Sequence, residues 1–556
     1  MPAPSPAGAE TPRTPWLALG LALAAAAALR LTGIGYGLPA VFNSDEPHLV
    51  NVAVSFGAGT LNPHLFKYPT LWMYVLFAAY GGFFLLWSGF GRLHSAADFG
   101  RYFAWHPTPF YLIGRLMAAG LSVAAIVPVY RAGRRWLGAA GAVTAALLLA
   151  VSPAAVEAAH STKPESLMFF WSALAWALSA AYIEEGRRRD LVVAGIFAGL
   201  ALSTQYTAGL LGTVLLSAWL ARRLSAGQAE AADLVLAGIA AAGAFLAGSP
   251  FIALDFRTFW STAQDIRRFE DAVGGPVGLW VVAKNVLCFA GPWLGGAAAA
   301  AGAVLLARRD RARAVWLVLP VLAYLLVLSR SPEGGWPRYL LPVFPGLALL
   351  AGCAVQEAEW ALGGRAALVL AMALAAPGLL ASAAFDRLVL LPDTRTLSAE
   401  WVEAGIPPGR TLLLDQEHAS PRLALSRATV ERLLEQTRAT GHPRAKYYQY
   451  LLEGHSGGGW GVYRVLRDYK DLHSHPAHAA FSALGQPMLD VRAGLSVARA
   501  AGVDYVVLTA MGADPQRSPQ LAGFLEQVRR EGSLIASFQP DPGRIAGPKI
   551  EIYRIK

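Results

Sequence analysis

The sequence predicts a polytopic α-helical membrane protein with a small soluble α/β domain after its last span. Three observations carry this. Of 556 residues, 55% are apolar and only 15% are charged, whereas soluble domains carry nearer 25% charge. Apolar runs of spanning length, about 20 residues, recur as far as residue 384. Basic residues fall on alternate loops, as the positive-inside rule requires of a multi-pass chain. A disordered chain, a disulfide scaffold and an ordinary cytosolic enzyme are excluded; the two cysteines, Cys288 and Cys353, lie inside apolar runs. The net charge of +10 follows the loops between runs, so no nucleic-acid partner is implied.

Taken in order, residues 1–15 form a Pro/Ala-rich cytoplasmic tail. The first run, 16–36, lacks a strong basic n-region and a small-residue cleavage site, so it reads as a span and not a cleaved signal. Further runs lie near 111–130, 138–157, 165–183, 190–204, 207–221, 233–250, 281–307, 314–329, 339–356 and 366–384, which makes eleven spans. The loops 131–136, 184–190, 221–223, 308–313 and 363–365 hold 13 Arg, while the turns 160–165, 203–205 and 329–338 hold only Lys163, Arg330 and Arg338. That asymmetry puts the Arg-rich set in the cytoplasm.

One apolar run, 69–89, breaks the alternation. A full crossing there would move every later Arg cluster outside. It is therefore read as interfacial or re-entrant, within a long outer loop at 37–110. Gly291-Pro292 is placed to split the 281–307 run into an interfacial helix and a short span. From 385 to 556 the apolar residues come in short runs. TLLLD (411–415), DYVVLTA (504–510), LIASF (534–538) and IEIYRI (550–555) read as strands, with helices at 421–436 and 518–531. The expectation is an α/β domain outside the cytoplasm, on a bacterial-type inner membrane.

Function is sought where charge sits near span ends. VFNSDEPH, after the first span, brings Asp45 and Glu46; the bland alternative is a helix cap. Arg supplies 40 of the 47 basic residues, yet Lys67, Lys163 and Lys284 all map to the outer side, and a lysine ammonium is a compact charge for phosphate. HSTKPES sets Lys163 and Glu165 at the mouth of an apolar helix, where Lys163 can snorkel but the shorter Glu165 cannot reach far. Arg338 and Tyr339 open a late span after a Gly-rich turn. Arg115 lies inside a span, where a charge costs about 2.5–3.5 kcal/mol and needs a partner or a polar cavity. Carboxylates beside cations at a membrane surface suit a lipid-phosphate substrate. HSHPAH (473–478) has the composition of a metal tract, but without a Cys or acidic partner at matching spacing it reads as loop histidines.

At these residues the chain resembles the GT-C superfamily of polytopic glycosyltransferases, in the branch of the protein O-mannosyltransferases and the lipid A aminoarabinose transferase. The resemblance rests on SDEPHLV (44–50), FKYPTLWMYVL (66–76), the GRL (114–116) to RRWLG (134–138) segment, and RYLLPVFPGLALL (338–350), and it covers about 16–384. It implies an inverting transfer of a sugar from a polyprenyl-phosphate donor to an acceptor hydroxyl outside the cytoplasm. Asp45 matches the family's catalytic acid residue and Glu46 its companion. Lys67 matches a donor-phosphate ligand, Arg115 the Arg that opens the second span, and Arg338 the Arg of the late RY segment; Lys163 and Tyr339 join them as candidate phosphate contacts. Some relatives use a divalent metal, for which Asp45 and Glu165 are the candidate ligands. Three departures bear on the donor sugar: Pro69-Thr70 for Pro-Pro, Glu165 for an Asp, and Gln205 for a basic residue. The acceptor is not identified by any motif.

Two other classes compete. A transporter or flippase of lipid-linked sugars would show repeat symmetry or matched broken helices in two halves, and neither is visible. A membrane scaffold would leave Asp45 and Glu46 replaceable.

Overall fold

The structure is a computed structural model describing residues 14–273, 275–416, 418–439, 444–466, 488–513 and 519–555. The His-rich stretch 473–478 lies outside the described residues.

Helices fill the chain as far as Val389. α1 (Thr14–Leu31) leads through a loop to α2 (Glu46–Ser55), α3 (Leu71–Gly89) and α4 (Ala96–Trp105). α5 (Thr108–Ala124) and α6 (Ile126–Trp136) run on as one 29-residue span. α7 (Ala139–Ala150) and α8 (Pro153–Ala159) meet at a 49° bend, where Pro153 cannot donate to the preceding turn. The bundle continues with α9 (Glu165–Glu185), α10 (Arg188–Leu202), α11 (Gly212–Ala226) and α12 (Ala231–Gly248). After α13 (Phe251–Leu254) and the amphipathic α14 (Phe256–Val273) come α15 (Leu279–Leu287), α16 (Leu294–Arg309) and α17 (Arg311–Leu328). α18 (Phe344–Leu362) and α19 (Gly364–Val389) close the helical part.

Among the described residues, seven helices are long and apolar enough to cross a membrane, or eight if the bent pair counts as one span. The expected count was eleven. The seven include α3, which is not among the expected spans. Of the expected eleven, six are in the seven and one is the bent pair, while Trp16–Leu31, α10, α11 and α16 have only 15 or 16 residues. At 1.5 Å per residue they reach about 24 Å, against roughly 30 Å of hydrocarbon.

The two ends of the bundle differ chemically. At one end the Arg-rich loops are tied together: Arg135 pairs with Glu185 at 2.6 Å, Arg309 with Glu357 at 2.9 Å and Arg313 with Glu184. Arg222 donates to the Ile183 carbonyl there. α3 lies at the other end. By composition its 19 residues could cross a membrane. Leu71 N–H bonds the Ser203 carbonyl after α10, and Thr70 N–H bonds the Ser249 hydroxyl after α12. Trp72 donates to the Thr162 carbonyl before α9, and the Tyr80 hydroxyl donates to Phe110 in the first turn of α5. The first turn of α3 and Tyr80, two turns on, thus touch the ends of four helices.

The 281–307 run is split at Gly291-Pro292 into α15 and α16. Gly291 has φ +101° and sits so close to α19 that a Cβ would stand 2.3 Å from the Gly378 nitrogen, so only glycine fits there.

α20 (Thr394–Gly405) leads into the α/β part. It contains β1 (Thr411–Leu414), α21 (Arg427–Ala439), α22 (Ala445–Glu453), β2 (Gly461–Val465), β3 (Met488–Leu489), α23 (Leu495–Ala500), β4 (Tyr505–Thr509), α24 (Ala522–Glu531), β5 (Ser533–Phe538) and β6 (Ile550–Arg554). The sheet order is β3-β2-β1-β4-β6-β5; β3, β2, β1 and β4 run parallel, while β6 and β5 are antiparallel additions. The four strands expected from the sequence are β1, β4, β5 and β6; β2 and β3 are additional. This domain sits on the α3 end. Arg422 donates to the Pro39 and Ala40 carbonyls, Arg395 donates to the Tyr36 hydroxyl, and Arg101 of α4 pairs with Glu453 at 2.8 Å.

Gathered arginines at one end and the α/β domain at the other generate a topology prediction. Reporter fusions after residues 136, 188 and 311 should report the cytoplasm, and fusions after 162, 334 and 400 the outside. An outside signal at 136 would mean that α3 crosses the membrane.

Candidate active site

Asp45 occupies the position before α2, where a structural cap would stand. Its side chain makes no capping bond. Instead its backbone N–H is held by the Asn43 side chain at 3.0 Å, which leaves the carboxylate free to face across the end of the bundle. There it meets two lysines. Asp45 Oδ1 lies 3.3 Å from Lys67 Nζ, and Oδ2 lies 3.4 Å from Lys163 Nζ. Lys163 also reaches Glu165 Oε1 at 3.4 Å, and that oxygen lies 3.3 Å from Arg338 Nε. Five charges therefore alternate along one line: Lys67, Asp45, Lys163, Glu165, Arg338. Three cations against two anions leave one net positive charge. The line opens toward solvent at its ends, with the Lys67 side chain 43% and Arg338 22% exposed, while Glu165 at 1% forms the floor.

These contacts are loose. Charge-assisted hydrogen bonds usually span about 2.7–2.9 Å, and neither Glu165 oxygen nor Arg338 Nε makes a hydrogen bond of good geometry. Electrostatically the line is decisive. Burial alone pushes the Asp45 carboxyl up, but Lys67, Lys163 and Arg338 outweigh it and hold the group well below the usual carboxylate range. Burial likewise disfavours the Lys163 ammonium, yet Glu165 and Asp45 prevail and raise it. Asp45 thus stays ionised from neutral pH down through the ordinary carboxylate range, and its favourable pairing is lost only below that.

Glu46 and Arg115 stand apart from this line. Arg115 Nε and Nη2 grip the two Glu46 oxygens, both at 2.8 Å, and the pair is buried, with side chains 0% and 2% exposed. The remaining nitrogen donates to the Ile34 and Tyr36 carbonyls. Glu46 Oε1 also accepts the Thr162 N–H at 2.7 Å. The pair is a strut that joins the loop after α1, the first turn of α2, α5 and the residue next to Lys163. Gly114 makes the approach possible, since a Cβ there would fall 2.1 Å from the Thr162 methyl.

Sequence reasoning missed several neighbours. Tyr68 is buried beneath Lys67, whose Nζ lies 5.6 Å from the ring centre. Burial, then Asp45 and Glu165, push its hydroxyl well up, so it stays protonated and able to donate. The Tyr206 hydroxyl holds the Phe66 carbonyl at 3.0 Å and so fixes the chain next to Lys67. Thr162 was within a motif already singled out, and Tyr68 was adjacent to Lys67; only the fold gives them roles. Tyr339 flanks Arg338, whose guanidinium lies 5.0 Å from the ring. Lys284 lies on α15 and makes no ion pair with this line among the described residues.

Asp45 and Glu165, the candidate ligands of a divalent metal, offer it no open donor set. The Lys163 ammonium lies between the two carboxylates, within 3.4 Å of each, and occupies the place of a cation. Among the described residues no three His, Cys, Asp or Glu side chains gather to hold an ion.

Removing one partner of a buried ion pair leaves the other charge unanswered, which costs about 3–5 kcal/mol. Glu46→Gln should therefore lower the melting temperature clearly. Lys67→Ala, at a half-exposed pair worth about 0–1 kcal/mol, should hardly move it.

Residues 112–253 match the family model of the dolichyl-phosphate-mannose-protein mannosyltransferases, an interval that contains Arg115, Lys163 and Glu165. No curated protein sequence matches the chain. Among solved structures, ArnT from Cupriavidus metallidurans bound to undecaprenyl phosphate superposes with a TM-score of 0.54 at 15% identity, over 97% of this chain and 98% of ArnT. The Archaeoglobus fulgidus oligosaccharyltransferase AglB, in complex with an inhibitory peptide and a dolichol-phosphate, gives 0.51 at 14% identity, over 95% of this chain and 73% of AglB. The architecture of this chain is the GT-C fold, shared with both solved neighbours and with the superfamily of its matching family model.

Proposed function

We propose that the protein is a membrane glycosyltransferase that moves a sugar from a polyprenyl-phosphate-linked donor to an acceptor hydroxyl on the outer side of the membrane. The observation that carries this reading is the alternating line Lys67–Asp45–Lys163–Glu165–Arg338. It offers a carboxylate and three cations at one end of a lipid-facing bundle, with its two outermost cations accessible. The two solved neighbours support it, since each is described with a polyprenyl or dolichol phosphate.

In this reading the donor is a phosphodiester with one negative charge, and Lys67 and Arg338 bind it. Inverting displacement forms a bond from the acceptor oxygen to the anomeric carbon, on the face opposite the phosphate. The bond from that carbon to the phosphate oxygen breaks, its electron pair leaves with the polyprenyl phosphate, and the hydroxyl proton passes to Asp45. The departing phosphate gains a second charge, so cations already in place stabilise the transition state more than the ground state. Glu46 and Arg115 keep the strut role and touch neither reactant.

Asp45 poses a difficulty for this scheme, because a general base works best with a proton affinity near the operating pH, and three cations hold Asp45 far below it. Donor binding resolves the difficulty. A phosphate that takes up Lys67 and Arg338 weakens their hold on Asp45, so the carboxylate becomes more basic only when a donor is present.

Two measurements test the reading in purified full-length protein. Lys67→Ala and Arg338→Ala should each weaken undecaprenyl phosphate binding about tenfold or more, since a hydrogen bond to a charged group is worth roughly 1.5–3 kcal/mol; unchanged affinity in both removes the phosphate role. Asp45→Asn should still bind undecaprenyl phosphate. In a transfer assay with a panel of polyprenyl-phosphate sugars its turnover should fall at least about 10²-fold, the lower end for loss of a general base. Near-native turnover would refute the assignment.

A further inference from the structure

The segment FKYPT (66–70) holds Tyr68 from both sides. The Tyr206 hydroxyl donates to the Phe66 carbonyl at 3.0 Å. Pro69 restricts the backbone of the residue before it. Thr70 gives its N–H to the Ser249 hydroxyl and its own hydroxyl to the Gly248 carbonyl. The ring of Tyr68 is thereby set beneath Lys67, whose Nζ lies 5.6 Å from its centre, and 6.1 Å from the His48 ring. A buried tyrosine hydroxyl normally finds a hydrogen-bond partner. Tyr80, Tyr182 and Tyr324 follow that rule, donating to the Phe110 carbonyl, the Asp233 carboxylate and the Thr207 carbonyl at 3.1, 2.8 and 3.0 Å. Tyr68 is only 6% exposed, yet among the described residues its hydroxyl makes no hydrogen bond. The charges that act on this hydroxyl include Asp45, Glu165 and Arg338. The side chain therefore runs under the line of charges, from the Lys67 end toward the Arg338 end.

We propose that Tyr68 is a catalytic residue whose hydroxyl donates a hydrogen bond to the phosphate that Lys67 and Arg338 hold. This role rests on the functional reading above and adds a neutral donor to its three cations. When the bond from the anomeric carbon to the phosphate oxygen breaks, the phosphate gains its second charge. An O–H group already in place beneath it then binds more strongly than it bound the donor, which lowers the barrier. The proton stays on Tyr68, and the proton of the acceptor hydroxyl still passes to Asp45. A neutral donor suits this place for a further reason. Each cation near Asp45 draws its proton affinity down, away from what a base needs. A hydroxyl stabilises the departing phosphate without that penalty.

The test compares purified full-length wild type with Tyr68→Phe, which removes the hydroxyl alone and keeps the ring under Lys67. No hydrogen bond within the protein is lost, so the melting temperature should match that of the wild type. Undecaprenyl phosphate serves as the binding probe, because it is the leaving group of the proposed reaction. Its affinity should fall about tenfold in Tyr68→Phe, the worth of one hydrogen bond to a charged group. Turnover with the polyprenyl-phosphate sugar that the wild type uses should fall about 10²-fold, the scale for removing one donor to a developing anion. A clear drop in melting temperature would show the hydroxyl bonded within the fold and overturn the proposal. Native affinity with reduced turnover would move the contact to the sugar or the acceptor and overturn the phosphate assignment. Weaker affinity with native turnover would leave a binding contact and overturn the part in catalysis. Native values of both, with Lys67→Ala and Arg338→Ala still weakened, overturn the role of Tyr68 and leave the donor reading standing. A wild type that binds no undecaprenyl phosphate overturns the donor reading, and the role of Tyr68 with it.

Discussion

The buried ion pair between Glu46 and Arg115 is the interaction on which the rest of this end depends. An arginine inside a span is expensive to place, and here all of its cost is answered locally: two bonds to one carboxylate and two to loop carbonyls. Because Ile34, Glu46, Arg115 and the residue before Lys163 meet at this point, it fixes where Asp45 and Lys163 stand relative to each other. Those two residues are 118 positions apart in the chain and otherwise touch only through their charges.

The contrast between strut and charge line is one of geometry. The strut is bidentate, dry and short, the form in which an ion pair resists rearrangement. The line has contacts of 3.3–3.4 Å and two exposed ends, the form in which partners can be exchanged for a ligand's oxygens at small cost. Neighbouring acidic residues, Asp45 and Glu46, thus do opposite work because one side chain points into the strut and the other into the line.

What the sequence made legible follows from which signals are local. The Arg asymmetry separated the two ends of the bundle, which the structure distinguishes by arginine pairs at one end and contacts with the α/β domain at the other. Asp45, Lys67, Lys163, Glu165 and Arg338 were each visible as charge at a span end, and the fold brings them together. The use of Arg115 was not legible, because its partners lie 69 to 81 residues away. β2 and β3 were missed for a related reason: GVYRV follows a glycine run and carries a charge, and β3 has only two residues, so neither has the apolar run that marks a central strand. Four of the expected spans form helices of only 15 or 16 residues, since a run of apolar letters does not report where a 3₁₀ turn or a loop ends the helix.

The charge line also bears on the departures from the family pattern. Glu165 stands where a shorter Asp is common, yet its Oε1 reaches both Lys163 and Arg338. An aspartate at the same position has one methylene fewer, about 1.5 Å less reach, and the two contacts at 3.3–3.4 Å have no slack to lose. The longer side chain is therefore matched to the spacing of the two cations in this bundle. Gln205, where a basic residue is common, accepts the N–H of Tyr206, and Tyr206 in turn holds the chain beside Lys67. A cation at 205 would leave that N–H without its side-chain acceptor. Glu165 brings the same charge as an aspartate would, and Gln205 brings none, so the three-to-two balance of charge that holds Asp45 ionised is set by Lys67, Lys163 and Arg338 against the two carboxylates.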